Sequence, residues 1–218
     1  MLEFPQFSPQ GISPSSIQRK VGAFTLVELL AVIGIIVLLL SVIAPSVVGT
    51  MEATRLTSAG SELLLKISQA RQIAMTENRP VEIRFYSDEI DGVKAVRAYQ
   101  LFYHEASAAE SKPVENAVDL AKSRVGAVAG ELSPLISPQS WPHQTEKPVS
   151  VEPWKSNGAT YLSVVMEPDG STNIPLSLKE SFITLCGERS LASSESPPPN
   201  YCTIQVDPVT GKATAYRP

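Results

Sequence analysis

The chain has 218 residues, enough for one globular domain with additions. Its net charge is −4, from 18 basic and 22 acidic residues, and no basic stripe is visible beyond Arg19-Lys20. That balance argues against a nucleic-acid binder, which needs clustered cations to neutralise phosphates. Hydrophobic residues make up 43% and are concentrated at one end, while most of the 18 prolines lie in the second half and mark it as rich in loops.

The first element is "GAFTLVELLAVIGIIVLLLSVIAP", from Gly22 to Pro45. A helix over 24–48 would be about 37 Å long at 1.5 Å per residue. That is enough to cross a hydrocarbon core of about 30 Å. Arg19 and Lys20 precede it and are expected on the cytoplasmic side, with the rest of the chain outside. A cleaved secretory signal fits poorly. Its apolar core runs to about 7–15 residues, and a cut after Ala44 would place Pro45 just beyond the bond. A plain anchor explains the length but not Glu28, the one charged residue between Val21 and Met51. An acid inside a membrane is costly and points to a function, unless it sits shallow among the headgroups.

"AFTLVELL" resembles the type IV prepilin signature. In that family a short basic leader ends at a small residue, a Phe begins the mature chain and a Glu is its fifth residue. The resemblance implies cleavage between Ala23 and Phe24 by a prepilin peptidase, loss of the leader 1–23 and N-methylation of Phe24. The family usually has Gly before the cut. Here Ala23 holds that place and Gly22 is one earlier, so a cut after Gly22 is the alternative, with Glu28 then sixth. In the family filament the acid is thought to meet the terminal amine of a neighbouring subunit. Glu28 is one helical turn from Phe24, near a helix start where negative charge is favoured. Paired charges in a low dielectric cost far less than a lone one. Pro45 stands where many pilins carry a helix-kinking proline, which removes one backbone donor; the other reading is a break at the membrane exit.

Beyond Pro45 the pattern stays helical over 49–79. Leu56, Ala59, Leu63, Ile67, Ala70 and Ala74 form one stripe with a period near 3.6. The helix is expected to end near Asn78, ahead of Pro80. Val81, Ile83 and Phe85 then alternate with Glu82, Arg84 and Tyr86, the mark of a half-buried strand. Asp91-Gly92 is a turn, and a second strand over about 94–103 completes a hairpin docked on the helix.

The insertion 105–158 is harder to read. "AVDLAKSRVGAVAG" suggests a short helix over about 114–128, and the prolines around it suggest extended loop. Such a loop is either a recognition surface or solvated filler. Trp141 and Trp154 are anchors for a partner or for the domain's own core. Strands are expected over 161–166, 181–186, 201–206 and 212–216, with turns at Pro168-Asp169-Gly170 and at 207–211 and a Ser/Pro-rich loop over 193–199. Cys186 and Cys202 enclose fifteen residues. In an exported domain a disulfide between them is the natural expectation, worth about 3 kcal/mol in the chain-entropy model. The alternative is two unrelated thiols.

"ISQARQIAMTENRPVEIRF", "MEPDGS" and "IQVDPVTGKATAYR" resemble the H-type minor pseudopilins and FimT pilins, and within that group the prepilin-like Verru_Chthon cassette protein D family. The resemblance implies an α+β, pilin-like fold: a long N-terminal transmembrane helix, kinked at Pro45, packed on an antiparallel β-sheet head over 80–218. It implies prepilin peptidase, other pilins or pseudopilins, an inner-membrane assembly platform and membrane lipid as partners. It also implies a single-pass inner-membrane location with the head outside the cytoplasm.

No catalytic pattern is visible. His104 and His143 are the only histidines, and neither a G-x-S-x-G elbow nor a P-loop occurs. "SDEIDG", with Asp88, Glu89 and Asp91, offers oxygens but not the EF-hand spacing, and reads as a solvated turn rather than a calcium loop. The expectation is a non-enzymatic minor pilin or pseudopilin subunit of a type II secretion or type IV pilus-like machine, without cofactor, metal or nucleic acid. The alternative is an anchored extracytoplasmic binding domain that never enters a filament.

Overall fold

The computed structural model describes residues 24–90, 92–105, 111–128, 130–137, 147–148, 159–176, 181–191 and 198–218, with backbone alone at 42–48, 90, 128 and 147–148. The chain divides into two units, 1–45 and 46–218. One helix, α1 (Leu26–Glu77), begins in the first and ends in the second.

In the second unit, Leu56, Ala59, Leu63, Ile67, Ala70 and Ala74 are all buried, as their spacing predicts. They pack on one face of an antiparallel sheet built from β1 (Val81–Ile90), β2 (Val93–Tyr103), β3 (Val118–Asp119), β4 (Val125–Val128), β5 (Lys147–Pro148), β6 (Thr160–Met166), β7 (Phe182–Gly187), β8 (Tyr201–Val206) and β9 (Ala213–Tyr216). The strand order is β5-β6-β1-β2-β4-β7-β8-β9, with β3 beside β2. The helix stops where the sequence says it should. Asn78 takes a left-handed φ of 50°, and Arg79 N–H donates to Ala74 O at 3.2 Å, a Schellman closure just before Pro80.

Two polar bonds pin the outer flank of α1 to the last hairpin. Arg71 Nε donates to Thr210 O at 2.6 Å, and Arg217 donates to Thr57 Oγ1. On another side, Lys66 Nζ meets Glu115 Oε2 at 2.5 Å. Between these ties β8 comes unusually close to the helix. A Cβ on Gly60 would lie 2.7 Å from Cys202 Sγ, so any larger residue there would force the sulfur or the strand to move.

The strand β1 is buried on both faces, not one. Val81, Ile83 and Phe85 face the helix and join the main core. Glu82, Arg84 and Tyr86 face the other way and are buried too, beside Ala98, Gln100, Phe102 and Tyr161. Their polar atoms find partners instead of water. Arg84 donates through Nε and Nη2 to Glu82 Oε2 at 2.9 and 2.8 Å, and its guanidinium lies 3.9 Å above the Phe102 ring. Tyr86 OH donates to Gln100 Oε1 at 2.9 Å, and Gln100 Nε2 donates to Glu115 O at 2.7 Å. Burial pushes the Glu82 carboxyl up, but hydrogen bonds from Arg84 and Ser163, with the fields of Arg84 and His104, outweigh it and hold the group below the usual carboxylate range.

Two further expectations are corrected. The helix proposed over 114–128 is instead β3, one 3-10 turn at Ala121–Ser123, and β4. Val118, Val125 and Val128 favour strand geometry, and Gly126 lets Leu191 and the Val96 carbonyl approach where a side chain would collide. β4 thereby joins β2 to β7. The second correction is the disulfide: Cys186 and Cys202 are free, buried thiols. In the β7–β8 register Cys202 stands opposite Leu185, and Cys186 opposite Tyr201. Offset by one residue, the two side chains point to opposite faces of the sheet. Cys202 enters the main core, whereas Cys186 packs with Ala95 and Leu191. Trp141, Trp154, His143 and Asp91, together with 106–110, 129, 138–146 and 149–158 of the insertion, lie outside the described residues.

Three outcomes follow. Gly60→Ala, which would raise the stability of an exposed helix by about 1 kcal/mol, should here lower it by about 1–3 kcal/mol through overpacking. Denaturant unfolding of the full chain in a double-mutant cycle with Cys202→Ala should show favourable coupling, because the second change removes the colliding sulfur. Reductant should leave the unfolding midpoint unmoved, and denatured chain never treated with reductant should take up two equivalents of alkylating agent. Glu82→Gln, which removes the buried carboxylate charge that Arg84 bonds, should cost about 3–5 kcal/mol. Since the Glu82 pKa is lowered by folding, its contribution is fully present above the unfolded value of about 4.3 and disappears as pH falls through the folded value. Stability of the parent chain should therefore drop below about pH 4, and the variant should lack that share of the drop.

Candidate assembly site at the start of the first helix

The sequence Thr25-Leu26-Val27-Glu28 forms a capping box. Thr25 is the N-cap: its carbonyl accepts the first helical bond from Leu29 N–H at 3.1 Å. Its hydroxyl oxygen accepts Glu28 N–H at 3.2 Å. Glu28 reaches back, and its Oε2 accepts both Thr25 N–H at 3.1 Å and the Thr25 hydroxyl at 3.0 Å. Two backbone donors that a helix start leaves unpaired are thus satisfied locally. The sequence reading assigned Glu28 to a partner's amine and overlooked this box, although the T-x-x-E spacing was present.

The box uses only one carboxylate oxygen. Glu28 Oε1 has no hydrogen-bond partner among the described residues, and the side chain is exposed. Phe24 immediately precedes the cap and is also exposed. The helix start therefore gathers the residues that the sequence singled out: the position of the expected mature terminus, and an acid one turn away with an oxygen to spare. Ala23 and Gly22, on the other side of the expected cut, lie outside the described residues. Pro45 falls within α1, but its side chain also lies outside them.

Beyond the box the helix is apolar on every side. From Phe24 to Leu40 the large hydrophobic side chains keep between 46% (Val32) and 79% (Phe24) of their surface exposed. No face is set apart for packing, in contrast to the one-sided stripe over 56–74. Burying a Leu, Ile, Val or Phe side chain gains about 1.5–3 kcal/mol, and soluble monomers rarely leave a contiguous apolar surface of this kind in water. Among the described residues, no helix is long and apolar enough to cross a membrane. The side chains at 42–48, which would complete the expected span, are not among those described.

The other sequence candidates lie elsewhere. His104 borders the buried polar layer, with Nδ1 3.7 Å from Glu82 Oε2. Asp88 and Glu89 lie near the end of β1, before Ile90, and Glu89 N–H donates to Asp88 Oδ1 at 2.8 Å. Among the described residues, no group of three or more His, Cys, Asp and Glu is placed to hold a metal ion.

No family model matches this chain, and no curated protein matches it. Among solved structures it is similar to the type IV minor pilin FimU of Pseudomonas aeruginosa strain PAO1, with 14% sequence identity and a TM-score of 0.42, over 78% of this chain and 96% of that one. At that score the likeness carries no argument about this chain.

Proposed function

We propose that the protein is a pilin-like subunit, anchored in the inner membrane by its apolar helix and assembled into a filament of a secretion or pilus machine through that same helix. The observation that carries this reading is the apolar surface over 24–40, exposed on every side and interrupted by the single acid Glu28. Such a surface needs lipid before assembly and neighbouring helices after it. The resemblance of "AFTLVELL" to the prepilin signature supplies the order of events. Cleavage between Ala23 and Phe24 by a prepilin peptidase creates an ammonium group at Phe24, and N-methylation leaves its charge in place. The head stays outside the cytoplasm, as a non-catalytic body that contacts other subunits. Assembly would proceed on an inner-membrane platform.

The capping box sharpens the role of Glu28. One oxygen closes the helix start of its own chain, and the other is available to a neighbour's terminal ammonium. In a low-dielectric surrounding an unpaired carboxylate is costly, so the pair favours the one register in which acid and amine meet. The resulting contact runs from one subunit to the next and continues along the filament, since it is heterologous.

Two substitutions separate the local role from the intermolecular one. Glu28→Gln keeps an acceptor for the cap and loses the charge; Thr25→Ala weakens the cap by about 1 kcal/mol and keeps the charge. Intact-mass measurement of membrane-extracted protein should find both variants cut to begin at Phe24, like the parent. Cross-linking between subunits should fall at least tenfold for Glu28→Gln and less than threefold for Thr25→Ala. A parent chain that retains Met1 in the membrane would instead identify an anchored binding domain outside any filament. Equal cross-linking of the parent and Glu28→Gln would remove the proposed charge pair.

A further inference from the structure

An open cleft of about 320 Å³ lies on the head, lined by Met51, Glu52, Arg55, Arg124, Glu188 and Arg189. We infer that this cleft binds a carboxylate-bearing segment of a partner protein through the guanidinium groups of Arg55, Arg124 and Arg189. The inference does not depend on the filament reading.

Three observations carry it. The first is charge. None of the three guanidinium groups makes a hydrogen bond or ion pair among the described residues. Of the two carboxylates in the wall, Glu188 is already engaged by Arg97 Nη1 at 3.0 Å. Three cations therefore face one free acid, Glu52, whose carboxylate lies against the backbone at Gly187, where a Cβ would come within 2.9 Å of it.

The second observation is strain at one of these arginines. Arg124 has φ 54° and ψ 39°, a left-handed conformation normally taken by Gly or Asn. Such residues persist when the surroundings hold them, and they concentrate at ligand clamps. Here the backbone is fixed on both sides: Arg124 N–H donates to Ala121 O, and Arg124 O accepts Glu188 N–H, each at 2.9 Å. The turn is thereby locked to the chain that carries Arg189.

The third observation is a β-bulge that serves the same wall. In the β1–β2 register Tyr86 pairs with Ala98 and Ser87 with Val96, so Arg97 is the extra residue. Bulges re-aim side chains and are common beside functional sites. This one sends a buried guanidinium, 4% exposed, to Glu188 and leaves Arg97 Nε with no partner among the described residues. Two separate backbone irregularities, both at arginines, thus converge on one cleft.

The ligand follows from the lining. Planar guanidinium forks match carboxylates and phosphates in two-point contacts. Glu52 in the wall disfavours a dianionic phosphate more than singly charged carboxylates spaced along a chain. Met51 offers the stem of a Glu side chain an apolar contact. The arginines come from three separate stretches of chain, which suits an extended segment carrying two or three acids.

The test uses the full chain in detergent micelles at low ionic strength. The probe is a fluorescent, end-blocked hexapeptide of alternating Asp and Glu, with its Asn/Gln counterpart as control. Anisotropy should show saturable binding of the acidic peptide alone. Arg124→Gly with Arg189→Gln should weaken it at least tenfold. Because glycine suits the left-handed turn, the unfolding midpoint should not fall. Lys112→Gln with Lys212→Gln removes the same charge elsewhere and should change binding less than twofold. Equal weakening by both pairs would reduce the effect to overall charge and overturn the site. Absence of saturable binding would overturn it as well. So would displacement of the peptide by inorganic phosphate at the peptide's own concentration, which would mark a simple anion site.

Discussion

The head depends on one stripe of small and branched apolar side chains along the inner side of α1. Leu56, Leu63 and Ile67 supply bulk, and Ala59, Ala70 and Ala74, with Gly60, let the sheet approach. This alternation fixes both the rotation of the helix and its distance from the strands. Shifting the helix by one residue would carry every member of the stripe away from the sheet, and Gly60 away from Cys202. The polar ties at Arg71, Arg217 and Lys66 sit around this contact and add direction more than energy, since partly exposed pairs are worth at most about 1 kcal/mol each. The earlier part of the same helix follows the opposite rule. It has no preferred side, and nothing in its own unit covers it.

The stripe was legible because its period is regular and because the positions between its members are mostly polar. The strand limits at Val81, Tyr103, Tyr201 and Val206 were legible for the same reason, with Asn78, Gly92, Gly170 and Gly211 marking the turns. Three features were not. Residues 114–128 mix Ala, Val, Leu and Gly in a run too short for periodicity to separate helix from strand, and only the gap between β2 and β7 decides the matter. The outer face of β1 reads as solvent-facing, because Glu and Arg usually are; a local sequence cannot announce that these two bond each other beneath aromatic rings. The cysteines fail for a geometric reason. Their spacing permits a bridge, but a register offset of one residue places the sulfurs on opposite sides of the sheet.

At the start of α1 the difficulty was different. The letters T-L-V-E contain both a helix cap and an unpaired acid, and a reading that asks what a membrane makes of a carboxylate attends only to the second. The geometry leaves room for the proposed second use. A carboxylate has two oxygens, and Thr25 occupies one of them. Its own helix start holds the acid in place, so under the proposed pairing little side-chain freedom would be left to lose.

The strand β4 has a consequence of its own. It meets β2 through Ala95–Val128 and Val96–Ala127, and β7 through Val125–Gly187, Gly126–Cys186 and Ala127–Leu185. Among the described residues the interior of the sheet is thus stitched by few rungs at this place, between the long β1–β2 hairpin on one side and the β7–β8–β9 meander on the other. A pull on the head, or a thermal fluctuation, opens a sheet where its ladder is shortest. The arginine-lined wall at Arg124 and Glu188 stands beside this narrow seam.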